Sequence, residues 1–217
     1  MPNFKRYFVL CCLAILCLLP SANTQVVFNN KVFSAVREKY NESAVDRIKN
    51  WQSLILNNQA KQIEDQLFEV NRFFNNVSFK GDIEHWGKND YWATPFEFLG
   101  TNAGDCEDYT IAKYITLLQM GVPDQKLRLM YVTATRPARQ AHMVLAYYET
   151  PTSVPLVLDN INKRILPASQ RRDLIPVYSF NGQGLWLAKA QGRGRQMQGA
   201  NNNKLWQDLN DRMQKGF

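Results

Sequence analysis

One cysteine of the chain stands apart from the other three. Cys106 lies in the string Gly-Asp-Cys-Glu-Asp at residues 104–108, at the predicted start of a helix. Cys11, Cys12 and Cys17 fall instead in an N-terminal segment that we expect to be removed on export. Cysteines of exported proteins normally form disulfides, so a single remaining thiol needs another explanation. We interpret Cys106 as a candidate catalytic nucleophile.

A cysteine nucleophile needs a base, and the base needs a group that orients it. The chain has two histidines. His142 begins a predicted strand, whereas His85 lies in a predicted polar loop and is interpreted as a surface residue. If the strands that carry His142 and Asp159 form a hairpin, antiparallel pairing brings Asp159 within a residue or two of His142. A lone cysteine or strand histidine is more often a core residue, but the conjunction favours a Cys106–His142–Asp159 triad.

Three acids surround the candidate nucleophile. Asp105, Glu107 and Asp108 would raise the pKa of a neighbouring thiol by like-charge repulsion, which opposes catalysis. A hard cation that prefers oxygen ligands, such as calcium, would neutralise them. The alternative is that Asp105 caps the helix and the other two acids complement its dipole, although capping accounts for only one or two of the three.

The remaining pattern predicts helices in the first half of the chain and strands in the second, which is typical of an α+β domain. Pro95 is suited to the first turn of another short helix. We expect helices over residues 31–40, 42–57, 61–75, 106–120 and about 205–213, strands over 127–133, 141–148, 154–160, 175–180 and 184–188, and loops over 81–90 and 191–203.

The N-terminus has the features of a secretory signal. Lys5 and Arg6 precede an apolar run over residues 8–19, and small residues follow near Ala22. The run is too short for a comfortable membrane span, so we expect cleavage after about residue 24 and one mature domain over residues 25–217.

The formal net charge of +7 does not indicate nucleic-acid binding. Basic residues are scattered, and the tightest clusters are pairs such as Arg171-Arg172.

Four segments together resemble the bacterial transglutaminase-like cysteine proteinases. They are the string at residues 104–108, the strand Ala-His-Met-Val at 141–144, the segment Leu-Val-Leu-Asp-Asn at 156–160, and Tyr-Trp-Ala-Thr-Pro at 91–95. The resemblance extends over roughly residues 33–189. A Cys-His-Asp order is shared by the wider superfamily, whereas the five-residue string together with an export signal is more specific.

The resemblance implies a papain-like α+β core, with N-terminal helices and a nucleophile helix packed on an antiparallel sheet. It implies that Cys106 is the nucleophile, His142 the base and Asp159 its orienting group, and that Asp105, Glu107 and Asp108 hold a calcium ion. It further implies a periplasmic enzyme that cuts the N-terminal region of a large surface adhesin at a di-alanine site, which releases the adhesin and promotes biofilm dispersal. The periplasmic domain of an inner-membrane receptor for cyclic di-GMP would inhibit it.

Two other functions stay open at this stage. A transglutaminase-like acyltransferase or amidase would use the same triad, and a non-catalytic binding module could be built on the same fold. For the oxyanion of a protease, we expect the backbone N–H of Cys106 and the indole of Trp92 as donors.

Overall fold

A computed structural model of the chain describes residues 28–187, 196–197 and 204–215. The predicted signal segment over residues 1–24 lies outside the described residues. So does most of the predicted loop over 191–203, but residues 196–197 form a short strand at the sheet edge, which corrects that prediction.

The first half of the chain is helical, as predicted. The second helix shows why: Asn41 caps it by accepting the Ala44 N–H at 2.8 Å, and apolar residues recur on its buried face. The described helices are α1 (Asn30–Lys39), α2 (Glu42–Asn58), α3 (Ile63–Phe74), α4 (Asp82–Trp86), α5 (Pro95–Thr101), α6 (Cys106–Gln119) and α7 (Lys204–Lys215).

The predicted loop over residues 81–90 contains the short helix α4, which corrects the sequence interpretation. Its five residues are too few to show helical periodicity, so no pattern marked it. Gly87 ends the helix in the left-handed conformation, with φ of 64°.

The second half forms an antiparallel sheet. Its order is β6-β5-β4-β3-β7-β8-β9, and every neighbouring pair in it is antiparallel. Two short strands, β1 and β2, pair in parallel apart from it. The described strands are β1 (Ser78–Phe79), β2 (Ala103–Gly104), β3 (Leu127–Ala134), β4 (Gln140–Tyr147), β5 (Leu156–Leu158), β6 (Leu166–Pro167), β7 (Leu174–Asn181), β8 (Gly184–Leu187) and β9 (Gln196–Met197).

Helix α6 is the central element of the core. It packs on β3 and β4 on one side and against α3 and α5 on the other. The indole of Trp51, from α2, donates a hydrogen bond to Thr116 at 2.8 Å. The α+β architecture with a nucleophile helix on an antiparallel sheet is therefore confirmed.

Among the described residues, no helix has the length and apolar character needed to cross a membrane.

Candidate active site

Cys106 is the first residue of α6, directly after the helix-capping position of Asp105. Its half-buried thiol donates to Glu107 Oε2 at 2.7 Å. Burial, the charge and hydrogen bond of Glu107, and the charge of Asp105 together raise the pKa of the thiol well above its usual value. Without a compensating positive charge, Cys106 is a poor nucleophile.

The nucleophile helix is tied to the strand that carries the candidate base. The Thr110 hydroxyl lies 2.8 Å from the Cys106 carbonyl oxygen and 3.0 Å from that of Met143. Met143 follows His142 in β4, so this bridge fixes the start of α6 beside the candidate base.

His142 and Asp159 are in direct contact. Leu145 of β4 pairs with Leu158 of β5, so Asp159 emerges just beyond the end of β5 and level with the start of β4. His142 Nε2 lies 2.8 Å from Asp159 Oδ1, and both residues are almost fully buried, at 2% and 1% exposure. The hairpin and the proximity predicted from the sequence are confirmed.

The charge state of Asp159 sets the tautomer of His142. Burial raises the pKa of Asp159, but hydrogen bonds and charges from His142 and Arg171 outweigh it and hold the pKa well below the usual range. An ionised carboxylate only accepts hydrogen bonds, so Nε2 of a neutral His142 carries the proton. Nδ1 is left as the basic nitrogen.

Cys106 and His142 line the same surface cavity, whose volume is about 520 Å³. It combines the candidate nucleophile, the candidate base and two acids with apolar walls. Its lining consists of Phe79, Asp105, Cys106, Glu107, Pro137, Gln140, Ala141, His142, Asn160 and Ile161.

The predicted metal ligands fall in two overlapping groups, which have Asp105 in common. Asp105 belongs to two clusters, one with Cys106 and Glu107 and the other with Asp82 and Asp108; within each cluster the potential ligand atoms lie within 4.8 Å of one another. Burial and the charges of Glu107, Asp108 and Asp82 raise the pKa of Asp105 to about 10. A buried cluster of this kind is electrostatically costly unless protons or a cation neutralise it.

Asp108 plays a different part from its neighbours. It is fully buried and accepts the Ala93 N–H at 2.7 Å and the Asp105 N–H at 3.2 Å. The second contact is one half of a capping box. Asp108 therefore serves as a helix cap while it also belongs to the acidic cluster.

Sequence reasoning missed two acids near the predicted metal ligands: Asp82, which clusters with Asp105 and Asp108, and Asp90, which lies within electrostatic reach of Glu107. Asp82 is buried and accepts the Tyr91 N–H at 2.6 Å. The pKa of Asp90 is raised by burial and by the charge of Glu107. Both residues lie in the segment predicted to be a polar loop, and only the packing of that segment against the start of α6 brings them near the predicted metal ligands.

Trp92, the predicted oxyanion donor, is buried, and its indole N–H has no hydrogen-bond partner within 3.5 Å among the described residues. Its ring stacks on Phe180 with centroids 5.6 Å apart, and it does not line the cavity that contains Cys106. Its indole N–H lies near Asp90, whose pKa it lowers. The ring is buried against Phe180, near the end of β7, as is usual for a large aromatic side chain.

Two other large aromatic residues, Trp86 and Trp186, also lie outside the lining of this cavity. Trp86 packs on Tyr91 with ring centroids 4.8 Å apart, and Trp186 lies under the guanidinium of Arg128. Phe79 and Ile161, both exposed and apolar, contribute to the cavity walls instead. Neither was marked by a sequence pattern.

His85 is not the free surface residue that the sequence suggested. It lies in α4, half-buried, with Nε2 2.9 Å from the Thr101 hydroxyl and its ring against Trp86. It does not line the cavity of Cys106.

Gly104 is required by the close approach of Asp108. A Cβ at position 104 would lie 2.3 Å from Asp108 Oδ2 and 2.7 Å from the ring of Phe98. Both distances are far below van der Waals contact, so this position excludes any side chain while Asp108 keeps its place.

Comparison with known proteins finds a matching family model and similar solved structures. The family model for the bacterial transglutaminase-like cysteine proteinases (BTLCP) matches residues 33–193. EGTA-treated LapG from Legionella pneumophila is similar in structure, with a TM-score of 0.73 and 41% sequence identity over 84% of this chain and 96% of that one. Calcium-bound LapG from the same organism gives a TM-score of 0.72 and 40% identity over 84% and 98% of the two chains. No curated protein matches the chain by sequence.

Proposed function

Because the chain belongs to the family of bacterial transglutaminase-like cysteine proteinases, we propose that it is a calcium-dependent endopeptidase with Cys106, His142 and Asp159 as its triad. The buried contact between His142 and Asp159, in the cavity that also contains Cys106, carries the assignment of residues. In this arrangement each member has the chemical role that the triad needs.

The reaction starts with proton transfer from the Cys106 thiol to Nδ1 of His142. The thiolate attacks the scissile carbonyl carbon, and the resulting imidazolium, stabilised by Asp159, protonates the leaving amine. Water, deprotonated by His142, then hydrolyses the acyl-enzyme and regenerates the thiol. The backbone N–H of Cys106 at the first turn of α6 has no intrahelical acceptor and can donate to the oxyanion.

The acidic cluster fits a hard cation. Its groups are carboxylates, and Asp105 Oδ1 is buried without a hydrogen-bond partner among the described residues. Asp105, Glu107 and Asp108 would hold calcium, and Asp82, which clusters with Asp105 and Asp108, could contribute. The ion would supply positive charge beside a thiol that must ionise. The calcium-bound LapG structure supports this choice of metal.

The substrate that we propose is the N-terminal region of a large surface adhesin, cut between small residues such as a di-alanine pair. The supporting argument is the family resemblance of the segments around Cys106, His142 and Asp159. Cleavage in the periplasm would release the adhesin and promote biofilm dispersal, and the predicted export signal supports that location. The periplasmic domain of a cyclic-di-GMP receptor would be the inhibitor.

A cleavage assay tests the proposal. The purified protein is incubated with the N-terminal region of a large adhesin from the same genome, with calcium or with EGTA. We expect cleavage only with calcium, none by Cys106→Ala, and loss of cleavage when the alanines at the mapped cut are replaced by bulky residues. Undiminished cutting in EGTA would refute the calcium requirement. If added amines were conjugated in preference to cleavage, the enzyme would be an acyltransferase.

A further inference from the structure

We propose that Arg171 is a positioning residue of the active site, which holds the carboxylate of Asp159 in the orientation that His142 requires. This proposal rests on the proposed function, since it assigns a fourth residue to the same triad. It concerns an arginine that neither the sequence pattern nor the family resemblance singled out.

The contact geometry separates the two oxygens of Asp159. Oδ1 accepts from His142 Nε2 at 2.8 Å and from the backbone N–H of Ile161 at 2.9 Å. Oδ2 accepts from Arg171 Nη2 at 2.6 Å. With both oxygens engaged, the carboxylate plane is fixed, and so is the imidazole ring that donates to it.

Arg171 is itself held firmly and away from water. It is 3% exposed, and its Nε and Nη2 donate to the carboxylate of Asp173 at 2.9 and 2.7 Å. Its backbone N–H donates to Ala168 and its carbonyl accepts from Leu174, so the chain makes a tight turn around it. A guanidinium with two fixed carboxylate partners is a rigid positioning device, because its planar fork allows few orientations.

The charge of Arg171 also keeps Asp159 ionised. Asp159 is buried, and burial alone would raise its pKa towards the neutral acid. A protonated Asp159 would neither stabilise the imidazolium of His142 nor reliably accept from it. Arg171 and His142 together keep Asp159 ionised. An arginine on the surface would have this effect only weakly.

The pair Arg171-Arg172 provides its own control. The two residues are chemically identical neighbours, but Arg172 is exposed. A general requirement for positive charge in this segment would involve both residues, whereas a positioning role involves Arg171 alone.

The kinetic test compares Arg171→Gln, Arg171→Lys and Arg172→Gln with the wild-type protein in the cleavage assay. We expect Arg171→Gln to lower kcat by on the order of 10- to 100-fold with KM changed less than about 2-fold, because a misplaced base affects chemistry more than binding. Arg171→Lys should keep the charge but only partly restore kcat, and Arg172→Gln should match the wild type. Wild-type kcat in folded Arg171→Gln would overturn the proposal.

A double-mutant cycle covers the case in which Arg171→Gln does not fold because it leaves Asp159 buried and unpaired. Asp159→Asn removes that charge, so Asp159→Asn and Asp159→Asn/Arg171→Lys should both fold. If Arg171 acts through Asp159, the second substitution should cost less than about 2-fold in kcat on this background. A further loss as large as Arg171→Lys shows on the wild-type background would mean that Arg171 acts independently, which contradicts the proposal.

A spectroscopic readout separates this proposal from the proposed function. With two histidines in the chain, the imidazole N–H signals in the NMR spectrum of the Cys106→Ala protein are readily assigned. We expect the His142 signal to be shifted downfield by its bond to Asp159, and this shift to be lost in Cys106→Ala/Arg171→Lys but kept in Cys106→Ala/Arg172→Gln. This result holds whether or not any substrate is cleaved. An unchanged His142 signal in the Arg171 variant would refute the positioning role, while absent cleavage by the wild type would refute only the protease assignment.

Discussion

At the scale of single residues, the cavity contains a thiol and an imidazole with very different surroundings. The Cys106 thiol donates to a carboxylate and its pKa is raised, whereas His142 is buried against an ionised aspartate. His142 is thus oriented to act as a base, whereas ionisation of the Cys106 thiol is disfavoured. A cation bound at the acidic cluster would favour ionisation of the Cys106 thiol without changing the contact between His142 and Asp159.

Substitution of the two reacting residues should separate catalysis from folding. We expect Cys106→Ala and His142→Ala to abolish cleavage, because one removes the nucleophile and the other its base. Cys106→Ala should keep the wild-type fold by circular dichroism. The control is His85→Ala, which should lose some stability through its contacts with Thr101 and Trp86 but keep its activity. Comparable loss of activity in His85→Ala would show that the wrong histidine has been assigned as the base.

At the scale of elements, α6 connects Cys106, the proposed nucleophile, to the backbone of Asp159. Two turns after Cys106, the buried Lys113 donates to Asn75 Oδ1 at 2.8 Å, and Asn75 Nδ2 donates to the carbonyl of Asp159 at 2.9 Å. The helix therefore carries the Cys106 thiol at its start. Further along, its Lys113 supports the backbone of Asp159 through Asn75. Because α6 packs on β4, the positions of Cys106 and of Lys113 are fixed together.

Lys113 should give the stability of the protein a distinct pH dependence. Burial lowers the pKa of Lys113 to about 7 from a usual 10.5. Between these values the unfolded chain holds a proton that the folded protein lacks, so this group makes the free energy of unfolding rise with pH, by at most about 1.4 kcal/mol per pH unit. We expect Lys113→Met to lack that rise in urea unfolding between about pH 7 and 10. Parallel curves for the two proteins would show that Lys113 stays charged when buried.

Helix α7 should affect the acidic cluster from a distance. Arg212 donates to Glu97 and to the carbonyl of Trp92, next to Ala93, whose N–H bonds Asp108. We expect Arg212→Met to loosen this segment and weaken calcium binding by on the order of 10-fold, as loss of outer contacts does at metal sites. Calorimetric titration would measure it, with the exposed Lys215→Met as the matched control. Equal affinities in the two variants would mean that α7 does not support the site.

At the scale of the whole molecule, the longer helices, most of the main strands and the meeting of His142 with Asp159 could be predicted from the sequence. Those features depend on local periodicity and on one hairpin, and both can be inferred from the order of residues along the chain. Asp82, Asp90 and Arg171 could not be predicted in the same way, because each reaches the site from a segment without periodicity. The packing of the Trp92 ring on Phe180 could not be predicted either, since the position of Trp92 in the sequence does not reveal it.

Calcium should stabilise the entire fold and not only the site. An ion that binds the folded state alone adds about 2.7 kcal/mol when its concentration is 100 times its Kd. We therefore expect calcium to raise Tm and EGTA to lower it reversibly in the wild type, but to leave Glu107→Gln nearly unchanged. If calcium raises Tm equally in both proteins, the ion binds somewhere other than the acidic cluster.

The contact between Gly104 and Asp108 limits how this protein can be redesigned. Since a methyl group at position 104 would occupy the space of the Asp108 carboxylate, the two positions form one packing unit and cannot be varied independently. A library that randomises position 104 alone should return glycine. A new side chain there needs residue 108 to be shortened, as in Gly104→Ala/Asp108→Ser, and the ring of Phe98 to be replaced by a smaller side chain as well. That exchange would remove the acceptor of the Ala93 and Asp105 N–H groups, so larger residues can enter the turn before the nucleophile only if other acceptors are designed for those two donors.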